Sequence, residues 1–153
     1  MKLSHFAHKS FYSIVLVLLF SSNLGAAARI GLIGGMDTLR SEDFYYGLSA
    51  TVGSRASHIS LEVECYKSPF SFFWISAAAQ IRLSSSNFTP YIVFGSAVRT
   101  DVPVILFYTT YPFIGVGINQ YFSSRLSIRG DIRWLEYGGT PKIRIGSGIF
   151  IRI

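Results

Sequence analysis

Charged residues are scarce in this chain of 153 residues: 14% are Asp, Glu, Lys or Arg, against about 25% in an ordinary soluble domain. The single cysteine excludes a disulfide scaffold and a cysteine-rich zinc or iron–sulfur site. The sequence also lacks a run of about 20 apolar residues, which a membrane-spanning helix needs. Since 50% of the residues are hydrophobic, intrinsic disorder is excluded too. The chain is therefore either embedded in a membrane or built around an unusually apolar core.

The longest clean apolar run, residues 14–20, lies near the N-terminus and is too short to span a bilayer. Two lysines precede it and four small residues follow it. A basic start, a short apolar middle and a small-residue end are typical of a secretory signal peptide, and they predict cleavage after Ala27 or Ala28. We therefore divide the sequence into a signal peptide, residues 1–28, and an exported domain, residues 29–153. An uncleaved anchor helix is the alternative, which the length of the run disfavours.

Alternation of apolar and polar residues dominates the exported domain. In residues 142–153, isoleucine occupies most positions of one face, while Lys142, Arg144 and Arg152 lie on the other. Strict period-two alternation predicts a half-buried strand. Similar patterns predict eight strands, at residues 29–36, 44–52, 57–66, 72–83, 91–99, 113–122, 126–134 and 142–153. Their length of about ten residues is what a tilted strand needs to cross a bilayer, and all the prolines fall between the strands or at their edges.

The predicted connectors alternate between longer and tighter segments. The longer ones are residues 37–43, 68–71, 100–111 and 136–141, and the tight ones lie near residues 54–56, 84–89 and 123–124. Such alternation is typical of an up-and-down barrel, in which successive connectors lie at opposite ends.

Alternation alone does not decide which face points inward, since a soluble lipocalin-like barrel also has eight antiparallel strands, with its apolar face inside. Here the polar face mixes glycine, serine and alanine with a few large Arg, Glu and Tyr residues, which suits the filled interior of a narrow barrel. Together with the scarcity of charge, this predicts an all-β fold: an eight-stranded antiparallel up-and-down transmembrane β-barrel with aliphatic side chains facing lipid. A soluble lipocalin-like binding barrel is the distant alternative.

Residues 115–153 carry the most specific pattern in the chain. They contain Gly-x-Gly-x-x-x-Tyr-Phe ending at Phe122, a short turn, Leu-x-Ile-Arg-x-Asp-x-Arg-Trp ending at Trp134, and a terminal alternating strand. In these residues the chain resembles the closing strands of small bacterial outer-membrane barrels of the outer-membrane protein A-like or X-like family, a porin-like β-barrel domain. The resemblance implies an integral outer-membrane protein of a Gram-negative bacterium. Family members commonly end in an aromatic residue that the assembly machinery recognises, whereas this chain ends in Ile153, which implies a weaker or divergent assembly signal.

Charged residues gather on the polar face of several predicted strands. The members are Glu62, Glu64, Arg82, Arg129, Asp131, Arg133, Arg144 and Arg152. If all of them face the lumen, they form an ionic network in which basic groups outnumber acids, with arginine–carboxylate pairing because an unpaired buried charge is costly. An eight-stranded interior is just wide enough for side chains, so we expect a plugged lumen. A narrow, weakly anion-leaning channel for small solutes is the alternative.

The connector at residues 100–111 is unusually apolar for a loop. Its candidates for surface interaction are Val104, Ile105, Leu106, Phe107 and Tyr108. Either the flanking strands continue above the membrane as a hairpin, or the patch binds a partner such as a host protein, a lipid or another barrel.

No catalytic, metal or cofactor site is predicted, and we expect a protein that is not an enzyme. His58 lies beside a tight turn and is expected to be a surface residue. The positive charge is spread along the strands, so nucleic-acid binding is not expected. The expected partners are outer-membrane lipid and lipopolysaccharide, with the barrel-assembly machinery during biogenesis, and the barrel is expected to be a monomer. The predicted function is a structural or surface-interaction role, such as adhesion or binding, in the outer membrane.

Overall fold

A computed structural model describes residues 27–37, 43–53, 58–67, 73–99, 110–137 and 139–153. Nearly all of them lie in eight strands: β1 (Ala27–Asp37), β2 (Asp43–Gly53), β3 (Ile59–Lys67), β4 (Phe73–Arg82), β5 (Phe88–Arg99), β6 (Thr110–Tyr121), β7 (Leu126–Tyr137) and β8 (Thr140–Arg152). Each strand pairs with its neighbours in the chain, and β8 closes onto β1. The predicted eight-stranded antiparallel up-and-down barrel is confirmed. Within the described part of the chain, no helix is long and apolar enough to cross a membrane.

The two faces of the strands have the predicted orientation. On β8, Ile145, Ile149 and Ile151 are exposed, whereas Arg144 and Phe150 on the alternate positions are buried. The same division holds for most residues of the other strands, where most aliphatic side chains lie outside and most charged side chains lie inside. The polar face is therefore the inner face of the closed sheet, which is the reverse of a soluble barrel.

Several strands are longer than the alternation predicts. β5 and β6 each begin three residues earlier, so Pro90 and Pro112 lie inside the paired region rather than before it. A proline lacks the amide donor but keeps its carbonyl. The Pro90 carbonyl still accepts a hydrogen bond from the Leu83 amide at 2.9 Å. The ladder therefore continues past a residue that the sequence pattern treats as a strand edge.

The predicted longer connector at residues 136–141 is wrong. β7 and β8 pair as far as Tyr137 and Thr140, so only two residues join them. Gly139 has a φ of 81°, a left-handed conformation that costs glycine little because it has no Cβ. This conformation suits a two-residue hairpin.

One end of the barrel holds the start of β1 and the end of β8, and the other end holds three connectors that lie outside the described residues. The N-terminus of β1 and the C-terminus of β8 lie together, since the Ile153 amide donates to the Ala28 carbonyl at 3.1 Å. We call this the terminal end, and the opposite end the loop end. The connectors between β1 and β2, β3 and β4, and β5 and β6 join the strands at the loop end; their residues 38–42, 68–72 and 100–109 lie outside the described part of the chain.

The predicted signal peptide, residues 1–28, lies almost entirely outside the described residues, which begin at Ala27. Ala27 and Ala28 already belong to β1 and pair with Gly53 and Val52 of β2. The predicted domain boundary therefore falls two residues inside the first strand.

Candidate functional site

An ionic cluster fills the middle of the lumen. It consists of Glu62 and Glu64 from β3, Arg129, Asp131 and Arg133 from β7, and Arg144 from β8, and we call it the lumen cluster. β3 and β7 are four strands apart in either direction around the barrel, so they face each other across the lumen. All six residues are buried, with exposed fractions of 6% or less. The lumen cluster therefore connects opposite walls of the barrel.

Glu64 is the centre of the lumen cluster. Its Oε1 accepts hydrogen bonds from Arg129 Nη2 at 2.5 Å and from Arg133 Nη2 at 3.0 Å. Its Oε2 accepts from Arg144 Nη2 at 2.7 Å and from Arg133 Nη1 at 3.1 Å. Three guanidiniums thus share one carboxylate, and Arg133 binds it through two nitrogens, which is the strong bidentate geometry.

The other two carboxylates hold the remaining arginine donors. Glu62 is ion-paired with Arg129 and accepts a hydrogen bond from Gln80 Nε2 of β4 at 2.5 Å. Asp131 accepts from Arg133 Nε at 3.0 Å and from the Tyr91 hydroxyl of β5 at 3.1 Å. Strands on several sides of the lumen therefore contribute to one continuous polar network.

Three guanidiniums face three carboxylates, so the formal charges of the lumen cluster balance. The predicted excess of basic groups is not found there, because the structure does not bring Arg82 and Arg152 into the cluster. Arg82 is buried near the terminal end, beside a cavity of about 10 Å³ that Arg29 and Tyr121 also line, which is room for about one water molecule. Arg152 is exposed at the end of β8. Alternation assigns a residue to a face but does not group it with others at the same depth.

Aromatic rings surround the arginines of the lumen cluster. The Arg144 guanidinium lies over the rings of Tyr45 at 4.9 Å and Tyr66 at 4.6 Å. Arg129 lies over Phe150 at 4.6 Å. A cation over an aromatic face is attracted to it, and more strongly when both are shielded from water. These rings were not predicted as site residues, although they share the inner face with the charged residues.

An aromatic layer lies on the loop-end side of the lumen cluster. Tyr66 stacks on Trp74, with ring centroids 6.2 Å apart, and Trp74 meets Tyr111 edge-on at 5.3 Å. Beside this layer lies an apolar cluster that the sequence pattern did not predict: Ala78, Tyr91, Val93, Ala97, Phe113 and Leu135. The alternation on β5 is weak because valine and alanine occupy its inner face, so the pattern gave no indication of this cluster.

Glycines on the inner face make room for these large side chains. A Cβ on Gly117 would collide with the Tyr91 hydroxyl, and one on Gly146 would collide with the Tyr45 hydroxyl. The mixture of glycine with Arg, Glu and Tyr is therefore a packing requirement of a narrow barrel.

The remaining predicted candidates lie away from the lumen cluster. His58 is exposed at the terminal end, with Nδ1 3.2 Å from the Arg82 carbonyl oxygen. The surface-interaction candidates at residues 104–108 lie outside the described residues. Among the residues that the structure describes, no group of three His, Cys, Asp or Glu side chains could hold a metal ion.

The outer face carries a belt of apolar side chains. Its exposed members include Leu32, Leu61, Ile114, Val116, Phe122 and Ile153. Most outward-facing aromatic residues lie toward the strand ends, whereas Phe94 lies in the middle of β5; those toward the ends are Phe44, Tyr46, Phe73, Phe88, Phe122 and Trp134. On the outward-facing positions of the described strands, Lys67 and Glu136 are the only charged residues.

These features define a class: a small, closed, eight-stranded barrel with an apolar exterior and an ionic interior. Comparison of the sequence with protein-family models and with curated proteins finds no match. Solved structures do match the fold.

The N-terminal β-barrel domain of Pseudomonas aeruginosa OprF matches with a TM-score of 0.66 and 15% identity, over 83% of this chain and 97% of that one. The Yersinia pestis outer membrane protein Ail matches with a TM-score of 0.54 and 11% identity, over 84% of this chain and 99% of that one. A de novo designed transmembrane β-barrel matches with a TM-score of 0.64 and 18% identity, over 83% and 95% of the two chains. The architecture implied by the sequence resemblance is therefore confirmed. Because a designed barrel matches about as well as natural ones, the structural similarity supports the fold assignment but indicates no particular activity.

Proposed function

We propose that this protein is an integral barrel of the bacterial outer membrane whose lumen is plugged by side chains, with a structural or surface-interaction role and no enzymatic activity. The observation that carries the membrane assignment is the apolar belt. A water-soluble monomer rarely exposes a contiguous apolar patch of more than a few hundred Å². Here the belt follows every strand around the barrel, and its only described charges lie at the loop end. Lipid is the environment that such a surface fits.

The two ends of the barrel support an orientation in the membrane. Outer-membrane barrels have short periplasmic turns and longer extracellular loops. The longest segment between two described strands, residues 100–109, joins β5 and β6 at the loop end, and the start of β1 and the end of β8 lie at the other end. We therefore place the loop end outside the cell. The connector that contains residues 104–108 then joins its two strands on the outer side of the membrane, which is the side where we propose that a surface partner binds.

The proposed partners follow from this placement. The apolar belt contacts outer-membrane lipid and lipopolysaccharide, and insertion requires the barrel-assembly machinery. The protein acts as a monomer in this proposal, because the closed sheet leaves no strand edge for pairing with another chain.

The lumen cluster supports the plug rather than the anion-leaning channel. Its side chains meet across the full width of the barrel, and Glu64 and Arg133 at its centre have exposed fractions of 0%. Within the lumen cluster, acids and guanidiniums are equal in number, so the filled part of the lumen has no excess of positive charge to favour anions.

We expect the purified protein to show no stable ohmic pore in planar lipid bilayers, because ion movement through the lumen requires the lumen cluster to separate. Single-channel recording is the measurement. As a positive control, an Arg133→Ser/Arg144→Ser variant removes two of the three guanidiniums of the lumen cluster. Its single-channel recordings should show more frequent opening events. A stable open pore in the unmodified protein would instead support the channel alternative.

A further inference from the structure

The outer face has a charged position on each of two opposite sides of the barrel. Lys67 ends β3, and Glu136 lies near the end of β7, the strand that faces β3 across the barrel; both are at the loop end. At the loop end, the outer face therefore carries a positive charge on one side of the barrel and a negative charge on the opposite side. A uniform coat of lipid needs no such asymmetry.

Lys67 lies between two aromatic residues. It pairs in register with Tyr46 of β2 on one side and with Phe73 of β4 on the other. Directly opposite residues on neighbouring strands have Cβ atoms about 5 Å apart, so all three side chains meet on the outer face. The Lys67 ammonium lies over the Phe73 ring, 5.2 Å from its centroid, and the Tyr46 side chain is 59% exposed.

The surface one step further into the belt is apolar. Leu48, Cys65 and Ile75 pair in register on the same three strands and face outward. A molecule that contacts both sets of three residues must therefore carry a negative group beside Lys67 and a hydrocarbon chain over the apolar set. A soluble anion would complement only the set that contains Lys67.

We propose that Tyr46, Lys67 and Phe73 form a binding site for the phosphate of a phosphorylated lipid headgroup, with the acyl chain lying over Leu48, Cys65 and Ile75. This inference rests on the proposed membrane function and assigns a phosphorylated lipid to one position at the loop end of the outer face. The lysine ammonium acts as a point charge toward phosphate. The two rings lie at the level where aromatic side chains meet headgroups. On the opposite side of the barrel, the carboxylate of Glu136 would repel a phosphorylated headgroup.

The test uses the protein extracted from membranes in neutral detergent and incubated with phosphorylated lipid A. Native mass spectrometry measures the fraction of protein that retains the lipid. We expect Lys67→Met to lower the apparent affinity about fivefold, since one basic residue near a charged membrane surface contributes about that factor. Lys142→Met is the matched control: it removes the same charge at the loop end but from the inner face of β8, and it should leave retention unchanged. Lys67→Arg should retain most of the binding.

The remaining arms separate the possible outcomes. Dephosphorylated lipid A should bind the unmodified protein and Lys67→Met equally. Equal retention of phosphorylated lipid by the unmodified protein and Lys67→Met overturns the site, and so does an equal loss in Lys67→Met and Lys142→Met. Before lipid is added, the mobility shift between unboiled and boiled samples on a gel shows whether each variant is a folded barrel. Absence of that shift in the unmodified protein would count against the proposed function itself, whereas a folded barrel without lipid preference counts only against this site.

Discussion

Replacement of Glu64 by alanine is expected to destabilise the barrel by about 3–5 kcal/mol, because removing one partner of a buried ion pair leaves an uncompensated buried charge. In this variant Arg129 and Arg133 remain ion-paired with Glu62 and Asp131. Among the described residues, however, Glu64 is the only carboxylate ion-paired with Arg144. The measurement is the free energy of unfolding in urea, for protein refolded into lipid vesicles and followed by tryptophan fluorescence.

Glu136→Ala is the matched control for this prediction, since it removes a carboxylate that is exposed on the outer face. It should change the free energy of unfolding by no more than about 0.5 kcal/mol. The double variant Glu64→Ala/Arg144→Ala removes the stranded guanidinium too, and its loss should be about 0.5–3 kcal/mol smaller than the sum of the single losses. Equal, small effects of Glu64→Ala and Glu136→Ala would contradict the central role of Glu64 in the lumen cluster.

Leu32→Arg is expected to cost about 2–4 kcal/mol, the penalty for a basic side chain at the midplane of an outer-membrane barrel's lipid face. Leu32 lies in the middle of β1 and is 69% exposed, the largest fraction among the exposed apolar residues. The same unfolding measurement in vesicles applies.

This substitution also separates the membrane barrel from the soluble alternative. On a water-exposed surface, leucine to arginine at so exposed a position would be nearly neutral. Ser124→Arg serves as the control, because Ser124 is exposed in the turn between β6 and β7, outside the belt. We expect it to be neutral in the same vesicles. A neutral Leu32→Arg would show that the outer face of β1 does not contact hydrocarbon.

The sequence predicted the sheet well because a period of two is a strong local signal that closure of the barrel preserves. In a narrow closed barrel every strand has one inner face, so the alternation that assigns Glu62 and Glu64 to the polar side of β3 also assigns them to the lumen. The choice between inside and outside came from composition: glycine beside Arg, Glu and Tyr fits an enclosed space, and the structure shows that Gly117 and Gly146 leave room for tyrosine hydroxyls.

The sequence could not predict which inner residues meet. Contact in the lumen depends on depth along the strand and on which strands face each other, and both are set by the register of the whole closed sheet. Arg144 and Arg152 share the inner face of β8, yet one lies in the lumen cluster and the other is exposed at the rim. The hairpin at Gly139 was missed for a related reason, since the run of glycine and polar residues resembled a longer loop and only the pairing of Tyr137 with Thr140 shows its length.

The two tryptophans report separately on the two faces of the barrel, of which the apolar face is proposed to contact lipid and the polar face encloses the lumen. Trp134 is on the outer face with 57% of its surface exposed, and Trp74 is on the inner face against Tyr66. The measurement is fluorescence quenching in vesicles whose lipids are brominated close to the headgroup, using Trp74→Phe to observe Trp134 alone and Trp134→Phe to observe Trp74 alone. We predict strong quenching of Trp134 and little quenching of Trp74. Quenching of Trp74 but not of Trp134, or of neither tryptophan, would show that the apolar outer face does not contact lipid.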